Sequence, residues 1–278
     1  MAFNQTCYGL NGKKDIINDY LYYLLRYKTA ELKSKTHGAV FDTITKETFE
    51  QININIPKSI SEQKAIAKIL SDLDEKIELN NQMNKTIEGL SSALWRKMFI
   101  EEASSNWKKG KLGDLVELCY GKTLKEDQRI QGKFPVIGSN GIIGHHSDFL
   151  VKGPGIVIGR KGTLGVVNYI EDDFFPIDTT YFIKSKTNSG KLFFEYFLLK
   201  EFSFEEMNSD SAVPGLNREI AESIEFLVPA IEVIHKFNNS CEFLFTRKIK
   251  NENQIYTLSS MRDTLLPKMM SGEMRVNV

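Results

Sequence analysis

Residues 44–57 read ITKETFEQININIP and residues 216–229 read LNREIAESIEFLVP, two stretches that align at an offset of 172 with Glu47/Glu219, Ile52/Ile224 and Pro57/Pro229 in common. Self-similarity at a fixed distance marks a chain built from a repeated unit, so the repeat governs every later assignment. Upstream, Tyr22-Tyr23-Leu24-Leu25-Arg26 is echoed by Tyr196-Phe197-Leu198-Leu199-Lys200, Ala39-Val40 by Ala212-Val213, and Thr6-Cys7-Tyr8 by Thr179-Thr180-Tyr181. Downstream, Asn81-Gln82 matches Asn253-Gln254, and Arg96-Lys97-Met98 matches Pro267-Lys268-Met269. The second copy carries about 70 further residues, 107–176, that have no counterpart ahead of Ala2. The chain therefore reads as one and a half units. Residues 1–58 are the distal part of a first globular part and 59–105 a long helix. Residues 106–229 form a complete second globular part, and 230–278 a second long helix and tail.

After Pro57, apolar residues at Ile66, Ile69, Leu73, Ile77, Met83, Ile87, Leu90, Leu94 and Met98 step mainly by threes and fours, the pattern of a helix with a coiled-coil seam. Ser59 and Glu62 supply a capping box at its start, and Pro57 stops a preceding strand. The second helix repeats the seam through Ile234, Phe237, Cys241, Leu244, Ile255, Leu258 and Leu265, and is expected to end or kink near Pro267. Asn80 and Asn251 occupy equivalent places. Each either controls register between paired helices or sits on a stripe that drifts around the surface. The pairing residues expected from this pattern are Asn80, Asn251, Ile77, Leu90, Leu244 and Leu258.

Between the helices, short apolar runs are punctuated by glycine. Residues 156–158 and 166–170 read as strands joined by the turn Gly159-Arg160-Lys161-Gly162-Thr163, with one amphipathic helix at 192–200 and its first-copy equivalent at 20–27. The fold class is α+β: mainly β domains, each with a small helix, alternating with two long helices in an antiparallel coiled coil.

Composition excludes several classes. With 36 Lys and Arg against 36 Asp and Glu and 41% hydrophobic residues, the chain is neither globally disordered nor a uniformly basic nucleic-acid binder. Cys7, Cys119 and Cys241 are odd in number and far apart, which indicates neither a disulfide frame nor a zinc site. No secretory leader and no long apolar run is visible, and a reducing cytoplasm is the expected location.

Two glycine-bracketed turns could carry recognition, Gly138-Ser139-Asn140-Gly141 and residues 159–163. Arg and Lys at a hairpin tip suit phosphates or guanine edges, and Asn and Ser suit bases, but a charged hairpin is also an ordinary solvated turn. Neither turn is a Walker loop. His145-His146 points to opposite faces of a strand and makes a poor chelate. The run Glu171-Asp172-Asp173 has no spaced partner for metal-assisted hydrolysis and reads as a solvated loop. No Ser/His/Asp set, methyltransferase Asn-Pro-Pro-Tyr or nuclease acid cluster is found, so the chain is expected to catalyse nothing.

The stretches GKFPVIGSNGIIG, IVIGRKGTLG and PIDTTYFI, followed by proline and the helix start ISEQKAIAKILSDLDEKIELNNQ with its end near LWRKMF, resemble the specificity subunit of type I restriction-modification systems. The resemblance covers essentially the whole chain, with the front of the first target-recognition domain missing. It implies two recognition domains that each read half of a bipartite DNA site, set apart by two antiparallel helices. A helix of roughly 40 residues spans about 60 Å at 1.5 Å per residue, enough to hold reading heads about one turn of DNA apart. It also implies double-stranded DNA, modification (methyltransferase) subunits and a restriction subunit as partners. S-adenosylmethionine, ATP and magnesium belong to those partners, and this chain carries no cofactor. A homodimer, or a segment from another chain, would complete the first domain. The best candidates for DNA contact are Ser139, Asn140, Arg160, Lys161 and Thr163, with Lys122 and Asn208 beside them. The competing reading is a coiled-coil dimerisation or scaffold protein whose globular domain binds protein. Clustering of Lys122, Lys125, Arg129, Arg160 and Lys161 on one face favours DNA.

Overall fold

The computed structural model describes residues 7–35, 44–187, 191–207 and 215–276. The first elements are the helices α1 (Asn18–Ser34), α2 (Lys46–Glu50) and α3 (Ile60–Arg96), and α3 continues as one π-helical turn at Lys97–Glu101. There follow β1 (Lys108–Lys111), α4 (Leu112–Leu115), β2 (Val116–Tyr120), β3 (Phe134–Gly138), β4 (Gly141–His146), β5 (Gly155–Gly159), β6 (Val167–Ile170), β7 (Phe175–Pro176) and β8 (Thr180–Ser185). The chain closes with α5 (Phe193–Glu201), α6 (Arg218–Glu222), β9 (Glu225–Val228) and α7 (Ile231–Ser271). Two compact units emerge: residues 1–86 with 248–278, and residues 87–247. Among the described residues no helix is long and apolar enough to cross a membrane.

The first unit is helical. Tyr20, Tyr23 and Leu24 of α1 pack on Ile66, Ala67 and Leu70 of α3 and on Leu266, Met269 and Met270 of α7. Ser59 caps α3 by accepting the Glu62 N–H at 3.3 Å. The capping box is only half made, because the Glu62 carboxylate turns instead to Arg275, 2.7 Å away. Fully buried Gln63 latches the front of α1, accepting the Ile17 N–H and donating to the carbonyls of Asp15 and Pro57. Asp74 gathers three donors: Tyr23 at 3.0 Å, Arg26 at 3.0 Å and Arg262 at 2.8 Å. Although burial works in the opposite direction, the hydrogen bonds from Arg262 and Tyr23 and the charges of both arginines hold the Asp74 carboxyl below its ordinary range.

In this unit the seam between α3 and α7 is closed by amides. Asn80 donates to Gln254 at 3.0 Å, and Asn251 donates to Asn84 at 2.8 Å. Asn80 and Asn251 are 0% and 1% exposed, so both equivalent asparagines face the partner helix, each bonded a turn further along it. Such pairs are satisfied only in one register, which is the physical meaning of a polar residue on an apolar seam. Ile77 and Leu258 are half-buried beside them.

Helix α7 does not stop at Pro267 but runs through it to Ser271. The exposed proline removes one backbone donor, while Leu266, Met269 and Met270, all buried in the core, hold the last turn in place. Residues 52–56, expected as a strand before Pro57, form no strand among the described residues. The equivalent stretch in the second unit is β9, which has a partner in β1.

In the second unit, β2-β8-β5-β6 form an antiparallel sheet and β4-β3-β7 a smaller one in which β3 and β7 run parallel. Ile137, Val157 and Phe174 pack together as a small core of their own. The main core is aromatic: Phe237 of α7 lies 5.6 Å from Trp95, 5.2 Å from Phe99 and 5.5 Å from Phe197. The expected amphipathic helix is α5, Phe193–Glu201, buried on nearly all sides rather than along one stripe. Even Glu195 is inside, accepting from the hydroxyls of Ser185 and Thr187. As Gln63 does for α1, Asn238 latches the start of α5, accepting the Phe194 N–H and donating to Lys191. Leu244 is half-buried on α7, whereas Leu90, expected on the pairing face, is 55% exposed. Ser91 is buried in its place, its hydroxyl bonded back to Ile87 and set beside Cys241. A step of three or four from Ile87 fits the period equally, and the smaller side chain takes the inner position.

Candidate nucleic-acid interface

The turn that follows β5 and the turn that joins β3 to β4 meet. The Ser139 hydroxyl donates to the Lys161 carbonyl at 2.6 Å across 22 residues of sequence. Such an approach needs a bare backbone at Gly159, where a Cβ would stand 2.2 Å from the Thr163 carbonyl oxygen and 2.7 Å from that of Ser139. Gly162 adopts φ +79°, a left-handed conformation that disfavours side chains. A third segment, residues 177–180, completes the group: the Thr179 carbonyl accepts the N–H groups of Arg160 and Lys161, at 2.9 and 3.1 Å. The Leu216 N–H donates to the Arg160 carbonyl at 3.0 Å. The loop is thus fixed from three sides before any ligand arrives.

The Arg160 guanidinium is oriented as well. It lies 4.8 Å from the ring centre of Tyr120 and 5.6 Å from that of Tyr181, and donates to the Asp178 carbonyl at 3.1 Å. Tyr120 is half exposed and Tyr181 is buried. Burial, then the neighbouring Tyr120 hydroxyl, pushes the Tyr181 phenol up to about 12 against the opposing Arg160 charge. Tyr181 therefore stays neutral and donates to the Leu216 carbonyl at 3.1 Å. Set over these two rings, the Arg160 guanidinium makes cation–π contacts, and among the described residues no carboxylate pairs with it.

The expected contact residues fall as follows. Asn140, Lys161, Thr163 and Lys122 are exposed, and Arg160 and Ser139 are half-buried. Lys122 stands two residues past Tyr120, with its N–H bonded to Pro176. Among the described residues Lys122, Arg160 and Lys161 have no carboxylate within salt-bridge distance, unlike Lys109, which pairs with Glu225. Unpaired cations on a rigid loop can take phosphate oxygens. Ser139 has its proton committed to Lys161. The Arg129 guanidinium donates to the Ile143 carbonyl of β4 at 3.1 Å. Asn208 lies outside the described residues. Tyr120, Tyr181 and the carbonyls of Asp178 and Thr179 were not singled out, because no local pattern links positions separated by 20 to 60 residues.

Elsewhere the polar clusters serve the fold. His146 accepts the Ile130 N–H through Nδ1 at 3.0 Å, and its ring stands edge-on to Phe175. Asp173 accepts the Gly153 N–H at 2.9 Å, and Glu171 lies 3.7 Å from Lys191. Among the described residues no group of three or more His, Cys, Asp or Glu could hold a metal ion.

With this geometry in hand, the relatives are informative. A family model described as type I restriction modification DNA specificity domain matches residues 1–89 and 104–237. The chain is 26% identical over 320 residues to the type I restriction enzyme MjaIX specificity subunit of Methanocaldococcus jannaschii, covering 99% of this chain and 73% of that protein. It is 22% identical over 364 residues to the type I restriction enzyme HindI specificity subunit of Haemophilus influenzae, covering 93% and 78%. The crystal structure of a type I restriction-modification system S subunit from M. genitalium shares the fold. Its TM-score is 0.70 at 23% identity, over 92% of this chain and 73% of that one.

Proposed function

The chain belongs to the type I restriction modification DNA specificity family, and from that premise we propose that its second unit reads one half of a bipartite DNA target through the loop at Arg160 and Lys161. It is a non-catalytic subunit that gives sequence specificity to a restriction-modification complex. The coiled-coil scaffold alternative is not favoured, since the family match takes in the globular parts as well as the helices. One observation carries the assignment of the loop: three chain segments converge to hold exposed or half-exposed cations, without a carboxylate partner among the described residues, on a stiff frame. In our reading Lys161 and Lys122 meet phosphates, Arg160 meets a base edge or phosphate, and Asn140 and Thr163 contribute hydrogen bonds from the neighbouring tips.

The long helices carry the partner side of the function. Each unit leaves large apolar residues in solvent on them: Leu79 and Tyr256 in the first, 50% and 79% exposed, and Leu90 and Phe243 in the second, 55% and 79% exposed. Surfaces of this kind suit docking by modification subunits. Those subunits bring S-adenosylmethionine, the restriction subunit brings ATP and magnesium chemistry, and the assembly works on cytoplasmic DNA.

A gel-shift titration of the complex with modification subunits tests the loop. The logarithm of affinity should fall linearly with the logarithm of salt concentration, by about 0.9 per neutralised phosphate. Replacing both Arg160 and Lys161 by alanine should flatten that slope by up to about 2 and weaken specific binding. An unchanged slope and unchanged affinity would remove the loop from the interface.

A further inference from the structure

Two isoleucines stand side by side in solvent on β4, Ile142 61% and Ile143 42% exposed, just past the turn whose Ser139 meets the Arg160 loop. Gly141 and Gly144 bracket them at φ +117° and +153°, so the pair is displayed from a backbone shape that side chains rarely permit. The register sets Ile142 opposite Ile137, which is fully buried with Val157 and Phe174, yet Ile142 itself joins none of the apolar clusters. Ile143 falls at the irregularity of that register and leans back on β3: a Cβ on Gly138 would stand 3.0 Å from its Cγ2.

The charges around this pair point to nucleic acid as its occupant. Ser139 donates to the Lys161 carbonyl, which makes the hairpin tip continuous with the cation loop. Arg129 lies along β4, donating to the Ile143 carbonyl, and its Nη1 would stand 3.3 Å from a Cβ on Gly144. Among the described residues Arg129 has no carboxylate within salt-bridge distance, unlike Arg218, which pairs with Glu117 and Glu222. An apolar side chain set between cations needs a partner that offers an apolar group flanked by anions. A DNA groove does so, with thymine methyls between two rows of phosphates.

We propose that Ile142 is a specificity-determining residue that contacts the 5-methyl group of one thymine in the major groove, and so selects an A·T pair at one position of the half-site. The inference deepens the DNA-reading role of the second unit and rests on it. The major groove admits a β-ribbon and displays the thymine methyl as an apolar feature among hydrogen-bonding groups. Contact with it removes from water a side chain that the free protein leaves exposed, without asking for a hydrogen bond in return. Ile143, laid against β3, holds the strand and reads no base.

Binding of the complex with modification subunits to duplexes that carry its methylation motif tests the assignment. Each thymine of the motif, on either strand, is replaced in turn by deoxyuridine, which lacks only the methyl group. With the parent chain one position should show a loss of affinity of about fourfold, the worth of one buried methyl. With Ile142→Ala, thymine and uracil at that position should bind alike, whereas Ile143→Ala should keep the parent's preference. The scan with the parent chain needs no variant, and the absence of a uracil penalty at every thymine overturns the proposal by itself. An undiminished penalty in Ile142→Ala overturns it as well. So does an Ile142→Ala chain that loses assembly with the modification subunits while the complex that does form binds DNA as the parent does, since the pair is then a protein contact. In each of these cases a salt slope that still responds to Arg160→Ala/Lys161→Ala leaves the loop in the interface, and an unresponsive slope removes both.

Discussion

Asn251→Leu replaces a buried amide by a side chain of similar size and strands Asn84, whose Oδ1 accepts from Asn251 at 2.8 Å and which is itself buried. An acceptor orphaned in the interior costs about 1–3 kcal/mol, and part of this is offset by the apolar surface that leucine buries. The net loss should be about 1–2 kcal/mol, roughly a five- to thirtyfold fall in the folding constant. Adding Asn84→Leu removes the orphan, so the double variant should return close to the parent and reveal a coupling energy of about 1–3 kcal/mol. Asn80→Leu provides an internal control. Its partner Gln254 is exposed and regains water when released, so this change should cost less. Urea unfolding followed by circular dichroism reads these differences as shifts of midpoint at constant slope. Light scattering should find mixed association states for the double variant, because an all-apolar seam tolerates more than one register. An unchanged midpoint for Asn251→Leu, or a double variant that loses the sum of both single losses, would refute the assignment of register control to these amides.

Two further substitutions probe the separate cores. Phe237→Ala deletes a fully buried ring that touches Trp95, Phe99 and Phe197, and should cost about 3–5 kcal/mol in a thermal melt, with loss of the near-ultraviolet aromatic signal. Asp74→Asn should cost about 1 kcal/mol near neutrality, modest because the carboxylate is partly exposed. Since the folded carboxyl titrates below its ordinary value of 3.8, its contribution is complete above that pH and disappears as pH falls through the folded value. The melting difference between the parent and Asp74→Asn should therefore hold from pH 7 to 5 and close on further acidification.

Much of the architecture was legible because the repeat acts as an internal alignment. Helices α2 and α6 stand at the offset of 172 residue for residue, and Asn80 and Asn251 face the same seam. Features set by a single position against a distant partner were not legible. The choice of Ser91 over Leu90 depends on what α7 presents, and the continuation of α7 past Pro267 depends on methionines buried beyond it. Residues 52–56 carry a strand pattern, yet pairing is a property of two segments and only β9 has its partner among the described residues. In the candidate interface the sequence marked the glycine-bracketed turns, since Gly159 and Gly162 meet local backbone needs. The platform beneath Arg160 comes from Tyr120, Asp178 and Tyr181, which only the folded sheet brings together.

The central claim is that this chain decides which DNA sequence its partner subunits modify, through the loop of its second unit. Sequencing of methylated bases in DNA from cells that express the modification subunits with either this chain or its Arg160→Ala/Lys161→Ala form tests it most directly. Methyladenine should concentrate at one defined motif with the parent chain, and that motif should be lost or relaxed with the variant while the complex still assembles. The same motif at the same occupancy with the variant, or without this chain, would contradict the account.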